Sequence, residues 1–309
     1  TIIIVSLHSA FAKFMLEFLQ KQQIKKQFGT YLSPALVEKL QKNPELLQLG
    51  GESKELSIMF TDVRGFTAIS EHYGDDVQGL TSIMNRYMTA MTKRIIDNDG
   101  TVDKYIGDAQ MAFWNAPVDD KDHAYKAVKT GVDMINDLKE FNKVITAEGH
   151  PPFAMGLGIN TDTVVVGNMG SDQRFDYTCL GDGVNLGARI EGQTKTYGVD
   201  IIIGENTADA IATDFNFTTL QLDCIAVKGK TKGVDIYTVV EGVWGRKFDH
   251  DDMMRMYFEQ NFKGATKMCE SLKGYFDGQL DGFYDIWIER CKGMKVKKDW
   301  DGVYRPTTK

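Results

Sequence analysis

Apolar and polar positions change period several times along the chain, and each change predicts an element. Phe11, Phe14, Phe18, Ile24, Phe28 and Tyr31 recur mostly every three or four residues, with Lys13, Lys21, Lys25 and Lys26 between them. That spacing predicts an amphipathic helix, either packed on its own domain or paired in a short parallel coiled coil. Ser33-Pro34 opens a second helix, with serine at the cap and proline in the first turn. Asn43-Pro44 and Gly50-Gly51 break the pattern and set a boundary near Gly50. Beyond Glu55 the run LSIMFTDV reads as a buried strand ending at Asp62, followed by the tight turn RGFT. Helical spacing returns from about Asp75 to Asn98 and from about Asp122 to Glu148. Between those helices, Thr101 to Ile106 and Ala109 to Trp114 are strand-forming runs joined through Gly107-Asp108, which predicts a β-hairpin.

The second half continues with FAMGLGIN and TVVVGNM, read as two strands joined through Thr161-Asp162. RFDYTCLGDGVNLGARIEG reads as strand, turn and helix, DIIIGE as a strand and NTADAIATD as a short helix. Strands around LDCIAVKG and VDIYTVVE close the unit near Glu241. Hairpins mixed with long helices predict an α+β fold: a mainly antiparallel sheet covered by helices, with a ferredoxin-like core. After a polar linker, FDHDDMM, the runs MYFEQNFKGATKMCESLKGYF and GFYDIWIERCKGM predict a C-terminal helical hairpin similar to one tetratricopeptide repeat. One such repeat rarely folds alone, so it is expected to dock on the preceding unit or on a partner. The ending, VKKDWDGVYRPTTK, is basic and irregular. Three segments result: residues 1–50 helical, 51–242 the α+β domain, and 243–309 the C-terminal extension.

Composition narrows the chemistry. The 309 residues carry a net charge of −7, which argues against a general nucleic-acid binder. Four cysteines show no CxxC pairing and five histidines are scattered, which disfavours a zinc site or a disulfide framework and favours a reducing compartment. No run approaches the roughly 18–20 apolar residues that span a bilayer. Ile2-Ile3-Ile4-Val5 reads either as the last turns of a membrane helix or as the start of an ordinary buried one.

Three groups of residues could carry chemistry. Asp62 and Asp108 each follow a short buried strand; if those strands are neighbours, two carboxylates converge at one sheet edge. Such a pair suits hard cations serving phosphate substrates, and the competing reading is two aspartates capping turns. VRGFT, after Asp62, offers backbone amides at a helix start to phosphate oxygens, although it is not a Walker loop. Asn185 and Arg189 lie four apart on one helix face, either to orient a sugar and neutralise phosphate charge or simply as an exposed polar face.

FTDVRGFT, DKYIGDAQMAFW, YTCLGDGVNLGARIE and VKGK, in that order and spacing, resemble the class III nucleotidyl cyclase catalytic domain from Glu55 to Val240. The resemblance implies that Asp62 and Asp108, with the carbonyl of Val63, bind two Mg²⁺ or Mn²⁺ ions. It implies that amides through Phe66 and Thr67 and the side chain of Lys228 hold a triphosphate. Asn185 would position the ribose, and Arg189 would stabilise charge on the α-phosphate. Lys104 matches an adenine-reading lysine, and Thr178, seven before Asn185, its partner. This Lys-Thr pair resembles subclass IIIb, adenylyl cyclases often responsive to bicarbonate. Lys104 can only donate, which suits N1 of adenine, while Thr178 and the carbonyl of Cys179 can accept from the exocyclic amine.

The implied reaction is ATP to 3′,5′-cyclic AMP and pyrophosphate, a phosphorus–oxygen lyase reaction. The family builds its site between two catalytic domains, and this chain has one set of motifs. A head-to-tail homodimer with two equal sites is therefore expected. QFGTYLSPALVEKL and the C-terminal helices resemble bacterial membrane-anchored cyclases with an upstream sensor, implying a cytoplasmic domain tethered to the inner face of a membrane. The rival readings are a catalytically weak cyclase-fold sensor of nucleotide or bicarbonate, a guanylate cyclase, and a diguanylate-cyclase or polymerase-palm relative; for the last, a GGDEF-like motif is absent.

Overall fold

The computed structural model describes Met15 and residues 49–171, 173–226, 233–242 and 244–305. The N-terminal helices and Lys228 expected above lie outside the described residues. The described chain runs β1 (Gly50–Arg64), α1 (Phe66–Tyr73), α2 (Val77–Asp97), β2 (Thr101–Ile106), β3 (Ala109–Trp114), α3 (His123–Ala147), β4 (Ala154–Ser171), β5 (Arg174–Leu180), α4 (Asp182–Tyr197), β6 (Ile201–Gly204), α5 (Glu205–Ala210), β7 (Phe217–Ile225) and β8 (Val234–Glu241). Three C-terminal helices follow: α6 (Lys247–Phe258), α7 (Phe262–Leu272) and α8 (Asp281–Cys291).

The strands form one sheet in the order β2-β3-β1-β4-β6-β8-β7, with β5 also on β4. Every pairing is antiparallel except β4 with β6. The α+β expectation therefore holds, with a mainly antiparallel sheet. Strand alternation feeds two cores, because successive side chains point to opposite faces. Met59 and Val63 of β1 meet α2 and α3, together with Trp114, Leu157 and Ile159. Leu56 and Ile58 point the other way, into a smaller core with Met111, Phe113, Val166 and Cys179. Around that core the sheet curls, so that the Tyr177 ring of β5 lies 6.1 Å from Phe113 of β3. The third core joins the C-terminal helices to α4, β6, β7 and β8 through Tyr197, Ile202, Leu222, Tyr257 and Trp287.

Three elements differ from the sequence reading. FAMGLGIN and TVVVGNM are not a hairpin but one continuous strand, β4, passing straight through Thr161-Asp162. Fifteen residues of β1 pair with it without interruption, from Gly50↔Asn168 to Arg64↔Ala154, and that ladder overrides the turn preference of a lone aspartate. The hairpin lies further on, between β4 and β5. RGFT agrees with the reading: a turn at Gly65 leads into the start of a short helix, α1. FDHDDMM is not a linker: it forms most of α6, burying His250, Met253 and Met254 while the aspartates cover the other side. The long run after it breaks into α6 and α7, where Gln260 takes a left-handed conformation, φ +63°.

Candidate active site

The acidic pair is built by two neighbouring strands. Thr61↔Gln110 is the last paired position of β1 and β3. Asp62 lies one residue past it and Asp108 two residues before it, so both arrive at the same end of the sheet. Gly107, at φ +68°, supplies the left-handed residue that lets β2 turn directly into β3. The two carboxylates come within hydrogen-bonding reach of each other, and the Val63 N–H donates to Asp62. Burial first, and the charge of Asp108 second, hold the Asp62 carboxyl above the usual carboxylate range. None of the groups that set its protonation is a cation. Beside the pair, α2 and the hairpin tip line an open groove of about 890 Å³ with Leu80, Met84, Met88, Tyr105 and Asp108.

A third acid stands behind this pair. A Cβ built on Gly158 would sit 2.4 Å from the Glu191 amide nitrogen and 2.6 Å from the Gly187 carbonyl, so only glycine lets α4 lie this close to β4. That approach half-buries Glu191, and burial, followed by the charge of Asp62, pushes its carboxyl up to about 7. Among the described residues, no three acidic, histidine or cysteine side chains converge as a ready metal cluster.

A second constellation lies where β5 curls towards β2. The Thr178 hydroxyl donates to Asp103 Oδ2 at 2.5 Å. The Cys179 N–H also donates to the Asp103 carboxylate. Lys104 Nζ stands 3.3 Å from Asp103 Oδ1, at ion-pair distance. Lys104, Thr178 and Cys179 thus come together, and Asp103 joins them. The Cys179 side chain itself points into the small core, where burial pushes its thiol up to about 12.

Asn185 and Arg189 sit one turn apart on the exposed face of α4, opposite the buried Leu186, Gly187 and Ile190. Phe66 and Thr67 occupy the first turn of α1, directly after Gly65 at φ +71°. Val63 is buried, with its amide turned to Asp62. The sequence reading passed over Asp103 and Glu191. Both lay within the quoted motifs, one before Lys104 and two after Arg189, and their carboxylates were the available signal.

Comparison with known proteins identifies the family. The model of the adenylate and guanylate cyclase catalytic domain matches residues 51–241. Adenylate cyclase 1 of Rhizobium meliloti is 33% identical over 216 residues, 69% of this chain and 31% of that protein's length. The chain thus spans about a third of the length of the curated relatives it matches. Among solved structures, the adenylyl cyclase CyaB from P. aeruginosa is 34% identical with a TM-score of 0.57, covering 63% of this chain and 98% of that one. The guanylyl cyclase Cya2 is also 34% identical, with a TM-score of 0.56, covering 64% of this chain and 96% of that one. By its motifs, its sheet order and this match, the chain belongs to the adenylate and guanylate cyclase catalytic domain family.

Proposed function

We propose that the protein is an adenylate cyclase that converts ATP to 3′,5′-cyclic AMP and pyrophosphate at a site shared by two copies of the chain. The observation that carries this reading is the facing pair Asp62–Asp108, two carboxylates within hydrogen-bonding reach, with no cation among the described groups that set the protonation of Asp62. Asp62, Asp108 and the Val63 backbone fit two hard divalent ions, Mg²⁺ or Mn²⁺. Such ions, when bound, would lower the pKa of the ribose 3′-hydroxyl and neutralise the triphosphate. The chain's own groups do the rest. The amides of Phe66 and Thr67, with Lys228, hold phosphate oxygens; Asn185 fixes the ribose, and Arg189 meets the charge that develops on the α-phosphate during in-line attack.

The same hairpin presents Asp108 to Asp62 at its tip and Lys104 to Asp103 and Thr178 on its flank. Two constellations on one chain fit a head-to-tail dimer in which each site takes its acids from one copy and its base, ribose and transition-state residues from the other. Exposed apolar side chains at the hairpin tip and along β4–β5 (Tyr105, Ile106, Val165, Phe175 and Leu180) support this assembly. ATP is favoured over GTP because Lys104 can only donate, and guanine N1 is already protonated. The Lys104–Thr178 pairing also makes bicarbonate a candidate activator. An upstream sensor tethered to a membrane fits the amphipathic stripe from Phe11 to Tyr31. Among the described residues, no helix is long and apolar enough to cross a membrane.

The deciding assay is purified protein with Mn²⁺ and either ATP or GTP, with cyclic product measured, with and without bicarbonate. Cyclic AMP is expected to dominate; cyclic GMP alone would convert the reading to a guanylate cyclase, and no product to a non-catalytic sensor. Inactive Asp108→Ala mixed with inactive Arg189→Ala is expected to regain activity through one intact shared site. A mixture that dimerises but stays inactive overturns the shared site. Deleting residues 1–45 is expected to change dimerisation or activity, and an unchanged protein removes the signalling role of that stripe.

A further inference from the structure

We propose that Asp103 is a specificity-determining positioning residue, which fixes the Thr178 hydroxyl as a pure acceptor towards the purine and so makes the site select adenine. This rests on the reading of Lys104 and Thr178 as the groups that face the base. A hydroxyl is by itself ambiguous, since it can donate its one proton or accept on its lone pairs. Thr178 alone would therefore accommodate the 6-amino group of adenine or, by rotating its proton, the 6-oxo group of guanine.

The structure removes that freedom. β2 pairs with β3 at Val102↔Ala112 and next at Lys104↔Met111, so Asp103 is the extra residue of a bulge. A bulge re-aims side chains, and here the Asp103 side chain is 0% exposed while that of its neighbour Lys104 is 44% exposed. The bulge drives Asp103 inward, against β5. There its Oδ2 receives the Thr178 proton at 2.5 Å, and the carboxylate also takes the Cys179 N–H. Burial, the largest influence, holds the Asp103 carboxyl above the usual carboxylate range, with Thr178, Lys104 and the Cys179 amide acting against it. The geometry carries the argument: Oδ2 accepts the Thr178 hydroxyl, so that proton is committed to Asp103 and only the lone pairs of Thr178 remain for a base. Next to it, the Lys104 ammonium only donates. A purine that donates at C6 and accepts at N1 satisfies both groups, and that purine is adenine. Guanine presents the reverse pattern at both positions.

Asp103→Asn keeps the shape but offers an amide N–H to the Thr178 oxygen, which frees the hydroxyl proton to face a 6-oxo group. The test is kcat/KM for ATP and for GTP in the wild type, Asp103→Asn, Thr178→Val and the double variant, with Mn²⁺. The ATP-to-GTP ratio is expected to fall on the order of tenfold in Asp103→Asn, the scale of one reversed buried hydrogen bond. A comparable fall is expected in Thr178→Val, with no further fall in the double variant. A ratio unchanged in Asp103→Asn, with both substrates slowed alike, overturns the proposal while the base-reading role of Thr178 stands. Additive effects in the double variant also overturn it. A ratio unchanged in Thr178→Val overturns the base-reading assignment itself, and Asp103 with it.

If Asp103→Asn does not fold, the wild type decides with two ATP analogues that keep N1 unprotonated. 6-Methoxypurine riboside triphosphate presents an acceptor oxygen at C6, and purine riboside triphosphate only hydrogen. Poorer turnover of the methoxy analogue supports an acceptor-only hydroxyl, and turnover equal to or better than the hydrogen analogue overturns it.

Discussion

Two acidic regions, one half-buried and one fully buried, meet desolvation in opposite ways. At the C-terminal side, Asp223 of β7 is fully buried, yet Arg290 of α8 reaches it at 2.5 Å, the Tyr197 hydroxyl donates to it at 2.6 Å and the Cys224 N–H at 2.8 Å. Arg290 is in turn held over the rings of Tyr304 and Trp287, 4.2 and 4.5 Å from their centres. Burial raises the Asp223 carboxyl and Arg290 opposes it. At the other region, Asp62 is also raised by burial, but its charged neighbour is Asp108, so the second influence adds to the first. Where a buried acid serves the fold, the chain supplies its partners. At Asp62 none of the described groups that set its protonation is a cation, and the role proposed for the pair is to take positive charge from a ligand.

Substitutions should separate the two regions. The largest effect expected is on turnover: Asp62→Ala or Asp108→Ala abolishes cyclic product in a discontinuous assay, while thermal melting shows the fold intact. A variant that unfolds instead would make the acid pair structural and erase the contrast. Asp223→Ala should do the reverse, leaving Arg290 buried and unpaired at a loss of about 3–5 kcal/mol in urea unfolding. Arg189→Ala, on an exposed face, should slow kcat on the order of 10²-fold with little change in stability, read from steady-state kinetics.

A smaller effect sharpens the C-terminal side. Fully buried His250 donates Nε2–H to the Gln221 carbonyl at 2.7 Å and accepts the Tyr284 hydroxyl at Nδ1, 2.9 Å away. Burial lowers its pKa to about 4. The unfolded chain takes up this proton near pH 6.5 and the folded chain only near 4. Stability is therefore full above pH 6.5 and falls by about 3 kcal/mol as the pH drops through that window. A His250→Gln variant should show a flatter pH dependence by urea unfolding between pH 6.5 and 4, and equal slopes would remove His250 as the cause. The smallest effect expected is a gain: Asp108→Asn should stabilise the metal-free protein by about 1 kcal/mol, by removing a like charge beside Asp62.

Legibility in the sequence followed how local each feature is. The β2–β3 hairpin was legible to the residue, because two strand-forming runs and a Gly-Asp corner are local facts. The extent of α3 was legible to within one residue at each end, for the same reason. β4 was misread, because what keeps Thr161-Asp162 extended is β1, about a hundred residues earlier. FDHDDMM was misread through its charge, although His250, Met253, Met254 and Tyr257 hold helical spacing. Lys104 and Thr178 were legible as residues of interest, but not their shared contact with Asp103, which spans 75 positions.

By itself the sequence determined the alternation of elements, the motifs that mark the family, and which residues could carry charge, donate or accept. Those are properties of residue type and short spacing. Tertiary structure alone decided which acids face each other, which acid is paired with an arginine and which hydroxyl has committed its proton to a hydrogen bond. Each of those depends on distance and burial between segments far apart in the chain. The physical reason is that a carboxylate has no fixed role: an arginine at 2.5 Å makes Asp223 part of the core, while a second carboxylate raises Asp62 instead of pairing it.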